Sequence, residues 1–481
     1  MSLDIREKTI NGVLWSLVER FSVQGIQFVI MIIMARVLSP ADYGLVGMLT
    51  IFLAVSQSLV DSGFVQSLIR KNDRTEVDNS TVFYFNIIAG IFLYLVLFFS
   101  APFIADFYDA PELLSITRWV GLSIIINSLV VVQRALLMIN VDFKTQAKAS
   151  LVAVVISGTI GITMAYSGCG VWAIVCQQLI NLSINAFLLW RFSHWRPLWA
   201  YSWKSFYELF AFGSKLLVSG LIDTIYQNIF QLVIGKRFSA ADLGYYTRAR
   251  QFSDFPSVNL TGIFQRVTYP VLCSIQNDDE RLSQVYRHFL RLSSFIVFPL
   301  LVGLAAVAKP LVLLLLNDQW EFAATLLQII CFSMMWYPIH AINLNLLVVK
   351  GRSDLFLRLE IIKKVVGVSI LCITLPMGLV PMCLGQIVSS LLSLIINTHY
   401  TGKLIHVVFQ VQMRDLFPTL ILSLTMGSLV FFLLSLFTGN LLQLLVGIFV
   451  GLVYYIGISY LLKYPELKEL YSLSLKKMYK S

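Results

Sequence analysis

Charge is scarce in this 481-residue chain. Asp, Glu, Lys and Arg make up 13% of it, about half the roughly 25% share of a soluble domain. With 58% of residues hydrophobic, a soluble fold is excluded. Patterns for metal or redox chemistry are equally thin. The six cysteines, Cys169, Cys176, Cys273, Cys331, Cys372 and Cys383, lie in or beside apolar stretches without ligand-like spacing, and read as small buried hydrophobes. The five histidines, His194, His288, His340, His399 and His406, form no pair at helical spacing, which leaves a metal hydrolase without ligands. No metal and no cofactor is expected. No cleavable signal peptide is expected either, because the first apolar segment outruns a signal h-region and should stay as the first span. Long loops are also lacking. The outward connections near 101–112 and 317–321 hold about a dozen residues or fewer, so no extracytoplasmic domain is expected to carry an active site.

What the chain has is apolar runs. A helix needs about 20 apolar residues to cross the hydrocarbon core. Fourteen segments qualify: 10–34, 44–68, 81–105, 113–137, 147–167, 170–191, 208–234, 244–270, 289–316, 322–348, 356–376, 379–400, 416–438 and 441–462. Turn formers and solvated charge separate them, as at Ser39-Pro40-Ala41-Asp42, Arg70-Lys71-Asn72-Asp73-Arg74 and Asp109-Ala110-Pro111. The net charge of +10 is largely topological: with a cytoplasmic N-terminus, 27 of the 36 Lys and Arg residues fall on the inner side. Only Arg36, Lys236, Arg237 and Lys309 fall outside. This bias places both termini in the cytoplasm and points to a membrane surface, not to nucleic acid.

The chain also repeats itself. Ser39, Ala41, Asp42 and Gly44 recur as Ser239, Ala241, Asp242 and Gly244 at an offset of 200, after span 1 and again after span 7. The stretch from Gly170 to Gln178 is echoed from Gly378 to Gln386 at an offset of 208. A six-helix unit is implied, and because six is even the two copies share one orientation about an axis along the membrane normal. The expected fold is therefore an all-α integral membrane protein of about 14 transmembrane helices. Residues 1–200 and 201–405 form the two six-helix bundles, and 406–481 supplies two extra helices and a basic cytoplasmic tail. From Pro418 to Leu462 there is no Asp, Glu, Lys, Arg or His, so the extra pair suits lipid.

A charge at the bilayer centre costs about 2.5–3.5 kcal/mol, so charges kept there face a wet cavity or a partner. In span 1, Ser16, Arg20, Gln24 and Gln27 share one helical face with Glu19 beside it, and in span 7 Lys215, Ser219, Asp223 and Tyr226 repeat the spacing. Span 8 is the most polar, with Arg248, Arg250, Gln251, Asp254, Thr261 and Gln265 among its residues; Arg250 and Asp254 stand at i, i+4 and suit an ion pair. Span 2, its counterpart, has only Gln57 and Asp61 in the corresponding region. These pairs could serve packing alone. As a set, Arg20, Lys215, Arg248 and Arg250 outnumber Glu19, Asp223 and Asp254, and that cationic surplus favours an anionic substrate. Arg118, near the outer end of span 4, suits snorkelling. Pro256, Pro270, Pro299, Pro338, Pro376 and Pro418 offer kinks within or at the ends of spans.

Several segments together resemble a known family: Gly12-Val13-Leu14-Trp15-Ser16, the connection from Ala35 to Gly44, Gly170-Val171-Trp172-Ala173, the segment from Ser239 to Tyr246, Pro270-Val271-Leu272-Cys273, and Lys309-Pro310-Leu311-Val312. In order and spacing the chain is similar to the Wzx-type (WzxC-like) polysaccharide flippases of the multidrug/oligosaccharidyl-lipid/polysaccharide exporter superfamily. The resemblance implies a bacterial inner-membrane protein that moves undecaprenyl-diphosphate-linked oligosaccharide from the cytoplasmic to the periplasmic leaflet for capsule, exopolysaccharide or O-antigen (lipopolysaccharide) assembly. Its partners would be that lipid-linked oligosaccharide, membrane lipid, and a polysaccharide polymerase with glycosyltransferases. The resemblance also implies a cationic central cavity, matched helix by helix at Arg20, Lys215, Arg248 and Arg250, with Gln24, Asp223 and Asp254 beside them; Gly220 stands where a counterpart of Arg20 would fall. Rival readings are a cation-coupled drug or metabolite exporter of the same superfamily and the lipid II flippase. Glu19, Asp61 or Asp223 would then be the coupling carboxylate. A membrane enzyme, polymerase or ligase, would need a large outward loop, and none is seen.

Overall fold

A computed structural model describes residues 22–61, 63–71, 73–193 and 195–478, without the side chains of 215, 216 and 473–478. The described residues are helical, with no strand among them. Backbone contacts divide the chain into two compact units, one ending at Gly244 and one starting at Tyr245.

The first unit runs α1 (Ser22–Val37), α2 (Pro40–Asp61), α3 (Phe64–Arg70), α4 (Glu76–Tyr108), α5 (Glu112–Ser128), α6 (Val131–Ile139), α7 (Phe143–Tyr166), α8 (Val171–Phe192) and α9 (Trp203–Arg237). It ends in the first turn of α10 (Ala240–Ser274). The second unit continues through α11 (Asp279–Ala306), α12 (Ala308–Leu315), α13 (Glu321–Met334), α14 (Tyr337–Val349), α15 (Ser353–Thr374), α16 (Leu379–Ile405), α17 (Phe409–Leu434), α18 (Asn440–Leu461) and α19 (Pro465–Met478).

From 44–68 onward, each apolar segment read from the sequence lies on a helix or a pair of helices; of segment 10–34, residues 10–21 lie outside the described residues and 22–34 fall on α1. Among the described residues, 10 helical stretches are long and apolar enough to cross a membrane, or up to 11 if the bent pair α5–α6 is one span. α10 and α15, which carry several charges, fall short of that measure. Exposed Phe431, Phe432, Leu445, Phe449 and Leu452 on α17 and α18 give these helices the apolar exterior that lipid requires. The same exterior corrects the reading of the cysteines. Cys331 and Cys383 are buried, but Cys372 is exposed on α15, where lipid can meet an apolar side chain as well as a protein core does.

The repeat has a local physical basis. At the start of α2 the Ser39 hydroxyl and backbone N–H both donate to Asp42 Oδ2 (2.7 and 2.9 Å), while the Asp42 N–H donates back to Ser39 Oγ at 3.3 Å. Ser239 and Asp242 make the same three bonds at 2.8, 3.1 and 3.1 Å. Each is a reciprocal cap that satisfies donors left open at a helix start. The second echo is also a helix start, with Gly170 (φ 55°) before α8 and Gly378 (φ 114°) before α16, a backbone region open mainly to glycine.

In the second unit a buried polar network fixes four helices. Tyr286 of α11 donates to Asn343 Oδ1 of α14 (2.8 Å), Thr401 of α16 donates to the same oxygen (3.1 Å), and Gln412 of α17 donates to Thr401 (3.1 Å). Such a network sets helix register, since any slip strands a buried polar group. At the basic end of α11, Arg287 forks onto Asp415 of α17 at 2.7 and 2.8 Å and Arg291 reaches Glu466 of α19 at 3.3 Å. The tail helix α19 was not expected from the sequence, where its basic residues mark only a polar tail.

Candidate functional site

α2 ends at Asp61 because Gly63 adopts φ 68°, and a β-carbon there would lie 2.6 Å from the Gly213 carbonyl oxygen. Glycine thus lets α9 approach closely at this level. Next to the contact, α2 and α9 part around a cavity of about 480 Å³. From α2 it takes Ala54, Gln57, Ser58 and Asp61, from α3 Gln66, and from α9 Leu217, Gly220, Thr224, Gln227 and Asn228. Asp61 accepts a hydrogen bond from Gln57 Nε2 at 3.1 Å, and the charge of Arg134 on α6 acts on the same carboxylate. Gln57, Gln66, Gln227 and Asn228 offer amides that donate and accept, so the cavity suits hydroxyl-rich groups around one carboxylate.

The cavity-facing residues of α9 are one position round from the sequence stripe. Gly220, Thr224, Gln227 and Asn228 border the cavity, whereas Asp223 is exposed beside it and Tyr226 is half-buried. The spacing i, i+4, i+7, i+8 from Gly220 was legible, but a stripe anchored on the charge of Lys215 passes over it. Glu19 and Arg20 lie outside the described residues, as does the Lys215 side chain. Gln24 of α1 is half-buried, and its Oε1 has no hydrogen-bond partner among the described residues. Arg134, one of the 27 cations counted to the inner side and part of segment 113–137, is half-buried on α6, and its charge acts on Asp61. Arg118 lies over the Phe98 ring, 4.4 Å from its centroid.

A second polar cluster forms within the second unit. Arg250 Nε meets Asp254 Oδ2 at 3.2 Å, the pair expected at i, i+4, and Arg250 Nη1 donates to the Tyr246 hydroxyl at 3.2 Å. Tyr246 is fully buried and also accepts from Gln386 Nε2 of α16 at 3.2 Å. Arg248 donates to Gln251 one turn on. Asp254 Oδ1 has no partner among the described residues. Arg250 and Asp254 are thus held by packing contacts on α10 and α16. Sequence reasoning missed His340 of α14, whose Nε2 and Nδ1 meet Ser390 Oγ (3.0 Å) and Asn397 Nδ2 (3.2 Å) of α16. A lone histidine in an apolar run gives no sign of such partners.

Outside the spans, Lys71 joins the end of α3 to α4 and α9, with Nζ 3.0 Å from Glu208 and 3.2 Å from Asp78. Burial alone would lower its pKa, but the Glu208 and Asp78 carboxylates outweigh burial and raise it.

The fold is one seen before. The chain matches the solved lipid II flippase MurJ in an inward closed conformation with a TM-score of 0.73 at 15% identity, over 94% of this chain and 99% of that one. This likeness defines an all-helical membrane fold. The model of the polysaccharide biosynthesis protein family matches residues 33–325, and the chain belongs to that family. Among its relatives are the lipopolysaccharide biosynthesis protein WzxC of Escherichia coli (strain K12), 25% identical over 82% of this chain and 80% of the relative. Another is the teichuronic acid biosynthesis protein TuaB of Bacillus subtilis (strain 168), 24% identical over 73% of each chain.

Proposed function

We propose that the chain is a flippase that carries undecaprenyl-diphosphate-linked oligosaccharide from the cytoplasmic to the periplasmic leaflet of a bacterial inner membrane, for capsule, exopolysaccharide or O-antigen assembly. The observation that carries this reading is the polar cavity between α2 and α9, set among helices with apolar exteriors in a chain of this family. A diphosphate-linked glycan cannot cross hydrocarbon unaided, because its charge and its hydroxyls would lose their water. Amides lining the cavity replace the hydroxyls' hydration. Arg20, Lys215, Arg248 and Arg250 take the diphosphate, with Gln24, Asp223 and Asp254 beside them, while the polyprenyl tail stays in lipid along α17 and α18.

In this reading the halves 1–200 and 201–405 alternate access across the membrane, 406–481 is appended, and both termini are cytoplasmic. Glycosyltransferases build the substrate and a polymerase consumes it. The names of WzxC and TuaB, both tied to surface glycans, support the substrate class. A second reading, a cation-coupled exporter, is favoured by the Asp61 carboxylate in the cavity wall.

Deleting the gene separates the two. The flippase reading expects loss of surface glycan and accumulation of lipid-linked oligosaccharide facing the cytoplasm, with drug susceptibility unchanged. Normal surface glycan with raised drug susceptibility would replace it with the exporter.

A further inference from the structure

A second cavity lies in the first unit, away from α9. It measures about 600 Å³ and sits where three connections meet: α3 to α4, α6 to α7, and the end of α8. Its wall includes Arg74, Glu76, Asn79, Asn140, Asp142 and Trp195. The proposed cavity between α2 and α9 shares none of these residues.

The chemistry of the wall points to one class of ligand. Two carboxylates against one guanidinium make it unsuited to a diphosphate, which would meet net negative charge. It is a poor match for an acyl chain too, since six of its ten lining residues are charged or polar and only Leu136, Leu137 and Phe192 join Trp195 as apolar wall. Asn79 is 3% exposed; its Nδ2 bonds Glu76 Oε2 at 3.5 Å and its Oδ1 has no partner among the described residues, a buried acceptor left open at the wall. Trp195 holds Glu76 through Nε1 and packs edge-on against Phe83, 5.7 Å between ring centroids, which fixes an indole beside the amides. Amides that donate to and accept from hydroxyls, carboxylates that accept from them, and a rigid aromatic face for C–H groups are what a sugar needs. The volume falls within the roughly 300–1,000 Å³ of small-molecule sites, enough for a few sugar rings.

We propose that this cavity is a glycan-docking site that engages the sugar head of the substrate before it enters the transport cavity. The inference rests on the flippase reading for its ligand and for its place on the cytoplasmic face, the side to which the distribution of Lys and Arg assigns the connections that carry Arg74, Lys144, Lys148 and Arg191. It assigns to Asn79, Asn140 and Trp195 a part in selecting the glycan, separate from the diphosphate anchor.

The test measures glycan binding apart from transport. Oligosaccharide released by mild acid from the lipid-linked pool of the native cell is titrated calorimetrically against the full-length protein in nanodiscs. Asn140 is exposed, so Asn140→Ala leaves the fold intact; Trp195→Ala removes the ring, and its folding is checked by thermal unfolding. Each variant should weaken glycan binding at least fivefold. Unchanged affinity in Asn140→Ala and in folded Trp195→Ala overturns the docking site, whatever the transport result. Conversely, a wild-type protein that binds the glycan but moves no lipid-linked oligosaccharide in proteoliposomes keeps the docking site and overturns the flippase reading.

Discussion

Gly44 and Gly244 sit at matching places in two copies of one helix-start motif, and each backs onto the other copy. A β-carbon on Gly44 would lie 1.7 Å from the Ala240 carbonyl oxygen, and one on Gly244 would lie 1.9 Å from the Pro40 carbonyl oxygen. The contact is reciprocal. Only hydrogen fits at either position, and the obstacle is backbone that cannot rotate away. Gly44→Ala and Gly244→Ala should each destabilise the protein by about 1–3 kcal/mol through overpacking, read as a lower melting temperature in detergent. Melting unchanged in both variants would show that the two helix starts do not meet this closely.

The caps beside these glycines should behave alike. Ser39→Ala and Ser239→Ala each remove the hydroxyl that accepts from the Asp N–H and donates to the Asp carboxylate. A loss of about 0.5–2 kcal/mol per cap is expected, with surface glycan retained where the chain still accumulates.

Gly220 offers a way to block the cavity without unfolding the protein. The nearest atom to an added β-carbon is Ser58 Oγ at 3.7 Å, so Gly220→Leu places its side chain in open space between α2 and α9. Leucine also suits a helix better than glycine by about 0.8 kcal/mol. Stability should hold or rise while export of surface glycan falls at least tenfold. Normal export with Leu at this position would remove the cavity from the transport path.

Asp61→Asn keeps the shape of the cavity wall and an oxygen for Gln57, but removes the charge. If this carboxylate couples transport to a cation gradient, the variant should still bind substrate yet lose the response of flipping rate to an imposed proton or sodium gradient. A gradient response equal to wild type assigns Asp61 a structural role beside Gln57.

Arg250 separates stability from function. Arg250→Glu breaks the bonds to Asp254 and Tyr246 and sets two carboxylates one turn apart. The pair is half-buried, so breaking it should cost less than the about 3–5 kcal/mol of a fully buried pair, whereas replacing both partners by apolar groups is often neutral. Arg250→Met combined with Asp254→Leu should therefore restore accumulation of the protein. If it also restores export, the pair serves the fold alone; accumulation without export would place it in the transport path.

Much of the architecture was legible because bilayer thickness acts on every span in the same way. Apolar runs such as 81–105 and 441–462 need no partner to be recognised, and they became α4 and α18. The repeat at Ser39 and Ser239 was visible as letters, and its meaning as a pair of caps follows from contacts three residues apart. Arg250 and Asp254 were readable for the same reason, since one helical turn fixes their separation.

What the sequence by itself determined is thus local or one-dimensional: helix, span length and cap. Which face of α9 borders a cavity was decided by tertiary packing, because Gly63 and Gly213 set how α2 and α9 approach, and that approach turns Gly220 and Thr224 inward while Asp223 stays outside. α5 and α6 bend by 41° at the break between them, and the charge of Arg134 on α6 acts on Asp61 of α2, a pairing that no spacing in the sequence announces. Periodicity orders residues around one helix axis; the rotation of that axis against its neighbours depends on contacts between residues more than a hundred positions apart.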